Sequence, residues 1–240
     1  MKSYLRLGEF KALSFDLDDT LYDNAPYIRR AEAEQLAFLH RQFPATRVWQ
    51  LSDWHNLKHR LLAQEPGLAQ DTTKARRALL TQGLLSLGYS EAQARRGAAE
   101  GLACFLAHRS DFSVPAGVIR FLQRLGQRYP LIGITNGNVD PQRIGLGQVL
   151  QFVLQPGEGL RMKPHGDMFA LACERLAIAP RELLHIGDSY AADVQGARRG
   201  GCQVAWLNPA YARNEPKPPT AGQLPQLEIA SLDCLLSLLD

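Results

Sequence analysis

The sequence reads ALSFDLDDTL at residues 12–21, a short apolar run followed directly by three carboxylates. The run at 12–15 is too short for a helix and too continuously apolar for a surface strand, so it predicts a buried strand. Asp16 and Asp18 lie two residues apart, and in an extended chain their side chains point the same way. In α/β proteins, ligands bind just beyond the carboxyl ends of such strands.

Four more short apolar runs share this character and alternate with helical patterns. The predicted strands lie at 131–134, 152–154, 183–186 and 204–207, and the predicted helices lie at 116–128, 141–149, 166–177 and 191–199. This repetition of strand and helix implies right-handed crossovers and a doubly wound parallel sheet in an α/β domain. The proline-rich residues 208–225 predict a surface loop.

A different pattern separates the first predicted strand from the others. Within residues 22–112, leucines recur at helical spacing, as at Leu80, Leu84 and Leu87. We therefore predict an all-helical domain at 22–112 that is inserted into a core domain formed by residues 1–21 and 113–240.

Composition limits the classes of protein to consider. The 240 residues are 45% hydrophobic with a net charge of +3, which excludes intrinsic disorder. No stretch approaches the roughly 18 apolar residues of a membrane helix, and the N-terminus carries charges where a signal peptide is apolar. We expect a soluble, cytoplasmic protein with no membrane partner.

Charge and cysteine patterns narrow the partners further. A pI near 8.7 suits an anionic partner, but no dense basic run alternates with aromatics, so we expect no nucleic acid and favour a small anionic substrate. The four cysteines contain no C-x-x-C pair, so they predict neither a zinc site nor a disulfide framework.

Carboxylates follow two of the predicted strands. Asp16 and Asp18 follow the first, and Asp188 follows the strand at 183–186. Three carboxylates at one edge of a sheet repel one another unless a cation lies among them. The candidate ligands are all oxygen atoms, with no neighbouring His or Cys in the pattern, which favours Mg²⁺ over zinc.

Other residues at these strand ends suit a phosphoryl group. Lys163 adds a second positive charge near the carboxylates. Thr135 and the backbone N–H groups of Asn136 and Gly137 are placed to hold phosphate oxygens.

These segments, in this order, resemble the four motifs of the haloacid dehalogenase (HAD) superfamily of phosphohydrolases. The motifs are residues 14–21, Thr135, Lys163–Pro164 and residues 187–193. The resemblance covers nearly the whole chain and implies a Rossmann-like HAD core, with the helical insert as the cap that one subclass carries between its first and second motifs.

A narrower resemblance concerns the substrate. Residues 15–24 and 134–138 and the overall length resemble bacterial phosphatases that act on 5-amino-6-(5-phospho-D-ribitylamino)uracil, a precursor in riboflavin biosynthesis. This implies a small phosphorylated metabolite as substrate, either that precursor or FMN.

The resemblance also implies a role for each motif residue. Asp16 would be the nucleophile that forms an aspartyl-phosphate, and Asp18 would be the general acid and then the general base. Mg²⁺ would be held by the Asp16 carboxylate, the Asp18 backbone carbonyl and the Asp188 carboxylate. Thr135 and Lys163 would bind phosphate oxygens, with Lys163 also reducing repulsion between nucleophile and substrate.

Further residues receive supporting roles. Asp193 would orient Lys163 or a metal-bound water. Asn136 would contribute its backbone, and His185 is expected to be an ordinary core or surface histidine. Tyr22, Asn24 and Trp54 are candidates for substrate contact if the cap closes.

Three other classes of protein share part of this pattern: dehalogenases, phosphomutases and receiver domains. Dehalogenases of this superfamily lack the second carboxylate because a leaving halide needs no proton, so Asp18 indicates an oxygen leaving group. Phosphomutases keep both aspartates and stay open as an alternative. Receiver domains also accept a phosphoryl group on Asp, but they are about half this length and have no helical insert. The sequence leaves open whether the protein is a monomer or a homodimer.

Overall fold

The chain folds into two compact units. The computed structural model describes residues 1–218 and 222–238. The core unit comprises Met1–Asn24, Ser113–Gly137 and the chain from Pro141 onward, and the helical unit comprises Ala25–Phe112 with Asn138–Asp140. Among the described residues, no helix is long and apolar enough to cross a membrane.

A seven-stranded sheet forms the centre of the core unit. Its strands are β1 (Lys2–Ser3), β2 (Ala12–Phe15), β3 (Leu131–Ile134), β4 (Val153–Leu154), β5 (Leu183–Gly187), β6 (Gln203–Leu207) and β7 (Leu227–Ile229). The order across the sheet is β1-β7-β6-β5-β2-β3-β4, and every pair is parallel except β1 with β7.

Within the part of the chain that the structure describes, seven α-helices belong to the core unit or to the insert. They are α1 (Ala25–Gln42), α2 (Leu51–Gln64), α3 (Thr72–Ser86), α4 (Glu91–Arg109), α5 (Ala116–Gly126), α6 (Asp167–Leu176) and α7 (Gln195–Arg199). From β2 the chain continues outward to β3 and β4, whereas from β5 it continues the opposite way to β6 and β7. The predicted doubly wound sheet is confirmed, and its winding reverses between β2 and β5.

The structure differs from the predicted elements in three places. Strands β1 and β7 were not predicted, because they have only two and three residues, too few for a hydrophobic pattern. The predicted helix at 141–149 was wrong, because that segment forms turns and a short 3₁₀-helix, with Gly145 at a φ of +89°. The start of the helix predicted at 191–199 is a π-helical turn, Tyr190–Val194, before α7.

Burial explains the position of the sheet. The four residues of β2 and the five of β5 are all buried, as expected for central parallel strands. Around them packs a hydrophobic cluster that includes Ile132, Ile134, Met168, Phe169, Val204 and Trp206. The carboxyl ends of β2 and β5 are therefore held by a rigid core.

The helical unit has its own core. Its buried residues include Leu39, Phe43, Trp54, Leu57, Leu80 and Leu84. Trp54 is 5% exposed, and a Cβ added at Gly83 would lie 2.2 Å from its ring. Trp54 thus packs inside this unit.

Helix α3 of this unit begins after Asp71, whose side chain accepts hydrogen bonds from the N–H groups of Thr73 and Lys74, both at 2.9 Å.

Candidate active site

The predicted site residues follow strands β2, β3 and β5. Asp16 follows β2, and its N–H donates to the Ile186 carbonyl of β5 at 2.8 Å. Asp188 follows β5, and residues 135–137 follow β3 on the other side of β2. These side chains therefore meet where the winding of the sheet reverses.

Three acidic side chains form one cluster at this edge. A carboxylate oxygen from each of Asp16, Asp188 and Asp193 lies within 4.8 Å of the other two. Asp16 is 7% exposed and Asp193 is 1% exposed, so water screens their repulsion poorly. The Asp18 carboxylate is not part of this cluster, and a role for its backbone carbonyl as a metal ligand stays a prediction.

Lys163 places a positive charge against the cluster. Its Nζ lies 2.6 Å from Asp16 Oδ1 and 2.7 Å from Asp193 Oδ1, and its side chain is 1% exposed. Burial by itself would lower the pKa of Lys163, but the charges of Asp16 and Asp193 outweigh it and raise the pKa. The lysine is therefore charged at neutral pH.

One ammonium group does not neutralise three carboxylates. For Asp193, burial favours a higher pKa, but the charge of Lys163 and the hydrogen bond from His185 lower it to about 2. For Asp16, burial outweighs Lys163 and raises the pKa well above its usual range. Burial and then the charge of Asp193 raise the pKa of Asp188 to about 7. The excess negative charge and the all-oxygen donor set of Asp16 and Asp188 fit a divalent cation.

Thr20 ties the two candidate metal ligands together. Its Oγ1 accepts a hydrogen bond from the Asp188 N–H at 3.1 Å. The same atom lies 3.4 Å from Asp16 Oδ2 and 3.3 Å from Asp188 Oδ1. This threonine is fully buried, and its hydroxyl restricts both carboxylates.

His185 contacts the cluster, although the sequence analysis gave it no role. It lies in β5 opposite Ser14 of β2. Its Nδ1 is 2.9 Å from Ser14 Oγ, and its Nε2 is 3.1 Å from Asp193 Oδ1. Burial lowers the pKa of His185, so the ring is neutral, and its proton is assigned to Nε2 because the ionised Asp193 can only accept. The signal in the sequence that could have revealed this role is the presence of polar residues, Ser14 and His185, within two predicted buried strands.

The Asn136 side chain holds the backbone of Lys163. Its Nδ2 donates to the Lys163 carbonyl at 2.9 Å, and its Oδ1 accepts from the Lys163 N–H at 2.7 Å. The sequence predicted a backbone role for Asn136, and this role of its side chain was not predicted. The two hydrogen bonds join the segment after β3 to the lysine that contacts the acidic cluster.

Asp18 lies beside the segment after β3. A Cβ added at Gly137 would lie 2.6 Å from Asp18 Oδ2, so a larger residue does not fit without movement. The Gly137 N–H donates to Thr135 Oγ1 at 3.0 Å, and Thr135 is 1% exposed. The structure thus places Thr135, Gly137 and Asp18 side by side.

Known proteins resemble the chain at the level of sequence and fold. A family model described as a haloacid dehalogenase-like hydrolase matches residues 10–201. The chain is 40% identical over 239 residues to 5-amino-6-(5-phospho-D-ribitylamino)uracil phosphatase YigB of Escherichia coli (strain K12), with 100% of both chains covered. It is 28% identical to a phosphoglycolate phosphatase of Shigella boydii, over 88% of this chain and 86% of that one.

A solved structure resembles the chain in fold as well as in sequence. It is a 2-haloacid dehalogenase from Pseudomonas syringae pv. Tomato DC3000, with 31% identity, a TM-score of 0.84, and 96% of this chain and 98% of that chain covered. The family match spans most of the chain, and the full-length curated relative is a phosphatase. The chain therefore belongs to the haloacid dehalogenase-like hydrolases and is a phosphatase of that family.

Proposed function

We propose that the protein hydrolyses 5-amino-6-(5-phospho-D-ribitylamino)uracil to the alcohol and inorganic phosphate, with Mg²⁺ as its metal. The observation that carries this proposal is the 40% identity over full length to a phosphatase of that substrate. FMN is the second substrate to test, since it also presents a phosphate on a ribityl chain. The buried acidic cluster supports the metal requirement.

Asp16 is the proposed nucleophile. One of its oxygens forms a bond to phosphorus while the bond from phosphorus to the leaving oxygen breaks, and the electron pair stays with the leaving oxygen. Asp18 gives its proton to that oxygen. In the second step water attacks phosphorus, Asp18 accepts a proton from the water, and the bond between Asp16 and phosphorus breaks.

The other residues bind and orient the phosphoryl group. Lys163 carries positive charge 2.6 Å from the nucleophile, which reduces repulsion between two anions as they approach. Thr135 and the Asn136 backbone hold the phosphoryl oxygens, and the Gly137 N–H, which donates to Thr135 Oγ1 at 3.0 Å, orients that hydroxyl. Mg²⁺, held by the carboxylates of Asp16 and Asp188, supplies the remaining positive charge when bound.

Removing Mg²⁺ is expected to lower the melting temperature more at pH 8 than at pH 6. The folded pKa of Asp188 is about 7, above its ordinary 3.8. Between about pH 4 and pH 7 the metal-free folded state binds more protons than the unfolded state, so its stability falls as pH rises. Mg²⁺ binds the ionised carboxylate and therefore restores most stability at pH 8.

Calorimetry with Mg²⁺ and with EDTA at both pH values measures this effect. The Asp188→Asn variant is the control, because it lacks one of the two carboxyl groups whose pKa is raised, so the dependence of the shift on pH should be smaller than in the unaltered protein. An equal or larger shift at pH 6 in the unaltered protein would count against Asp188 as a metal ligand.

The substrate is tested by initial rates of phosphate release. The panel comprises the ribitylaminouracil phosphate, FMN, sugar phosphates and p-nitrophenyl phosphate, each with Mg²⁺ and with EDTA. We expect Mg²⁺-dependent release with the highest kcat/KM for the ribitylaminouracil phosphate. A higher kcat/KM for another ester of the panel would be consistent with the phosphatase activity but would overturn the proposed substrate.

Dehalogenation is the other reaction to test, because the solved structure with 31% identity is a 2-haloacid dehalogenase. Asp18 argues against it, since halide leaves without a proton.

With p-nitrophenyl phosphate, an Asp18→Asn variant should release about one equivalent of p-nitrophenolate per enzyme in a fast burst and then turn over slowly. The activated leaving group needs no acid in the first step, whereas the second step has lost its base. Chloride release from 2-chloropropionate, with no such burst, would favour the dehalogenase.

A further inference from the structure

Tyr22 contacts the proposed general acid directly. Its hydroxyl donates a hydrogen bond to Asp18 Oδ1 at 2.7 Å. The tyrosine is 1% exposed, so its ring is fixed by packing. The backbone also holds the two residues together, because the N–H of Asp19 donates to the Tyr22 carbonyl at 2.8 Å and Asp18 forms a β-bridge with Tyr22.

The second oxygen of Asp18 faces a different element. The Cβ position of Gly137 lies 2.6 Å from Asp18 Oδ2, and the same position lies 3.4 Å from Thr135 Oγ1. Oδ2 therefore lies against the segment that holds phosphoryl oxygens in the proposed function. The two oxygens of one carboxyl group thus have distinct neighbours.

This asymmetry has a chemical consequence. A carboxylic acid that accepts a hydrogen bond at one oxygen carries its proton on the other. When Asp18 acts as the acid, the tyrosine hydroxyl occupies Oδ1, so the proton to be transferred lies on Oδ2, next to Gly137. A carboxyl group that rotates freely would present this proton in the useful direction only part of the time.

We propose that Tyr22 is a positioning residue that fixes the Asp18 carboxyl group so that Oδ2 exchanges the proton with the leaving oxygen and then with water. The inference rests on the proposed role of Asp18 as acid and base. In the first step the Oδ2–H bond breaks as the leaving oxygen gains the proton; in the second, Oδ2 takes a proton from the attacking water.

The Tyr22→Phe variant tests this by removing the hydroxyl and keeping the ring. The measured quantity is kcat/KM, which reports the first chemical step, for p-nitrophenyl phosphate and for the alkyl phosphate that the wild-type protein cleaves fastest. General acid catalysis contributes about 10²–10⁴-fold for a poor leaving group, so we expect a loss of about 10- to 100-fold with the alkyl ester. With p-nitrophenyl phosphate, whose leaving group needs no acid, we expect a change within about 3-fold.

Two further variants make the result decisive. Tyr4→Phe is the matched control, since the Tyr4 hydroxyl donates to Glu228 Oε2 at 2.6 Å at the β1–β7 edge of the same unit. This variant should leave kcat/KM unchanged for both esters. Asp18→Asn is the reference and should show the same selective loss, only larger. If Asp18→Asn shows no selectivity, the proposed role of Asp18 fails.

A further outcome is that Asp18→Asn lowers kcat/KM for the alkyl ester selectively while Tyr22→Phe lowers kcat/KM for both esters equally, or for neither. In that case the role of Tyr22 is overturned and the role of Asp18 stands. Thermal unfolding of each variant is measured alongside. A stability loss in Tyr22→Phe without the selective loss of alkyl ester cleavage assigns Tyr22 to packing alone and also overturns the inference.

Discussion

Replacing Asp16 by asparagine is expected to abolish phosphate release while leaving the protein folded. Asparagine has nearly the same shape, and its amide oxygen still accepts from Lys163 Nζ, which lies 2.6 Å from Asp16 Oδ1. The amide does not form the bond to phosphorus on which the two-step mechanism depends. Removing the nucleophile of a covalent mechanism costs on the order of 10⁶-fold in kcat, so we expect at least about 10⁵-fold.

The measurement is single-turnover and steady-state phosphate release with Mg²⁺, together with the thermal unfolding curve. Asp23→Asn is the matched control, because Asp23 pairs with Arg213 at 2.9 Å and lies partly exposed outside the acidic cluster. That variant should keep activity within about 3-fold of the unaltered protein, as expected for a surface ion pair. Turnover by Asp16→Asn within 100-fold of wild type would assign the nucleophile elsewhere.

Replacing Lys163 by methionine is expected to cost both stability and activity. The lysine is buried between Asp16 and Asp193, and the variant leaves two buried carboxylates without their cation. Breaking a buried ion pair by removing one partner costs about 3–5 kcal/mol in the free energy of unfolding. Losing a positioned cation near the phosphoryl group should lower kcat by about 10²–10³-fold.

The stability loss should depend on pH. In the unaltered protein the pKa of Asp193 is about 2, below its ordinary 3.8, so its ionisation contributes stability above about pH 4 that is lost as pH falls towards 2. The variant lacks that contribution, so the difference in stability between the two proteins should shrink as pH falls from about 4 towards 2. Denaturant unfolding of both proteins at pH 7.5 and at about pH 2.5 measures this change.

A second substitution separates charge from packing in this prediction. Asp193→Asn removes one of the two carboxylates left unpaired, so the double variant Lys163→Met with Asp193→Asn should recover part of the lost stability at pH 7.5. No recovery, or a stability loss of the same size at both pH values, would mean that Lys163 stabilises by packing rather than by its charge.

Much of the fold followed from the sequence because buried parallel strands are short, apolar and bounded by polar residues. The five predicted strands correspond to β2–β6, and every predicted end lies within one residue of the observed end. Elements with little burial carried no such signal, as for the exposed β1. The predicted helix at 141–149 failed because apolar spacing does not report the left-handed backbone of Gly145.

The site was less predictable than the sheet. Residues directly after a strand were visible from their position, as with Asp16 and Asp188. Contacts that depend on three-dimensional packing were not visible in the sequence. His185 contacts Asp193 because of a π-helical turn, and Tyr22 contacts Asp18 because of the turn between them. Side-chain hydrogen bonds of this kind have no period in sequence.

The most direct measurement is the location of the phosphoryl group on the enzyme during turnover. The protein and its Asp18→Asn variant are mixed with the ribitylaminouracil phosphate and Mg²⁺, quenched in acid within one turnover, digested and analysed by mass spectrometry. We expect one phosphoryl group on the peptide containing Asp16, transient in the unaltered protein and accumulating in the variant. A phosphoryl group on a different residue, or none while phosphate is released, would contradict the mechanism.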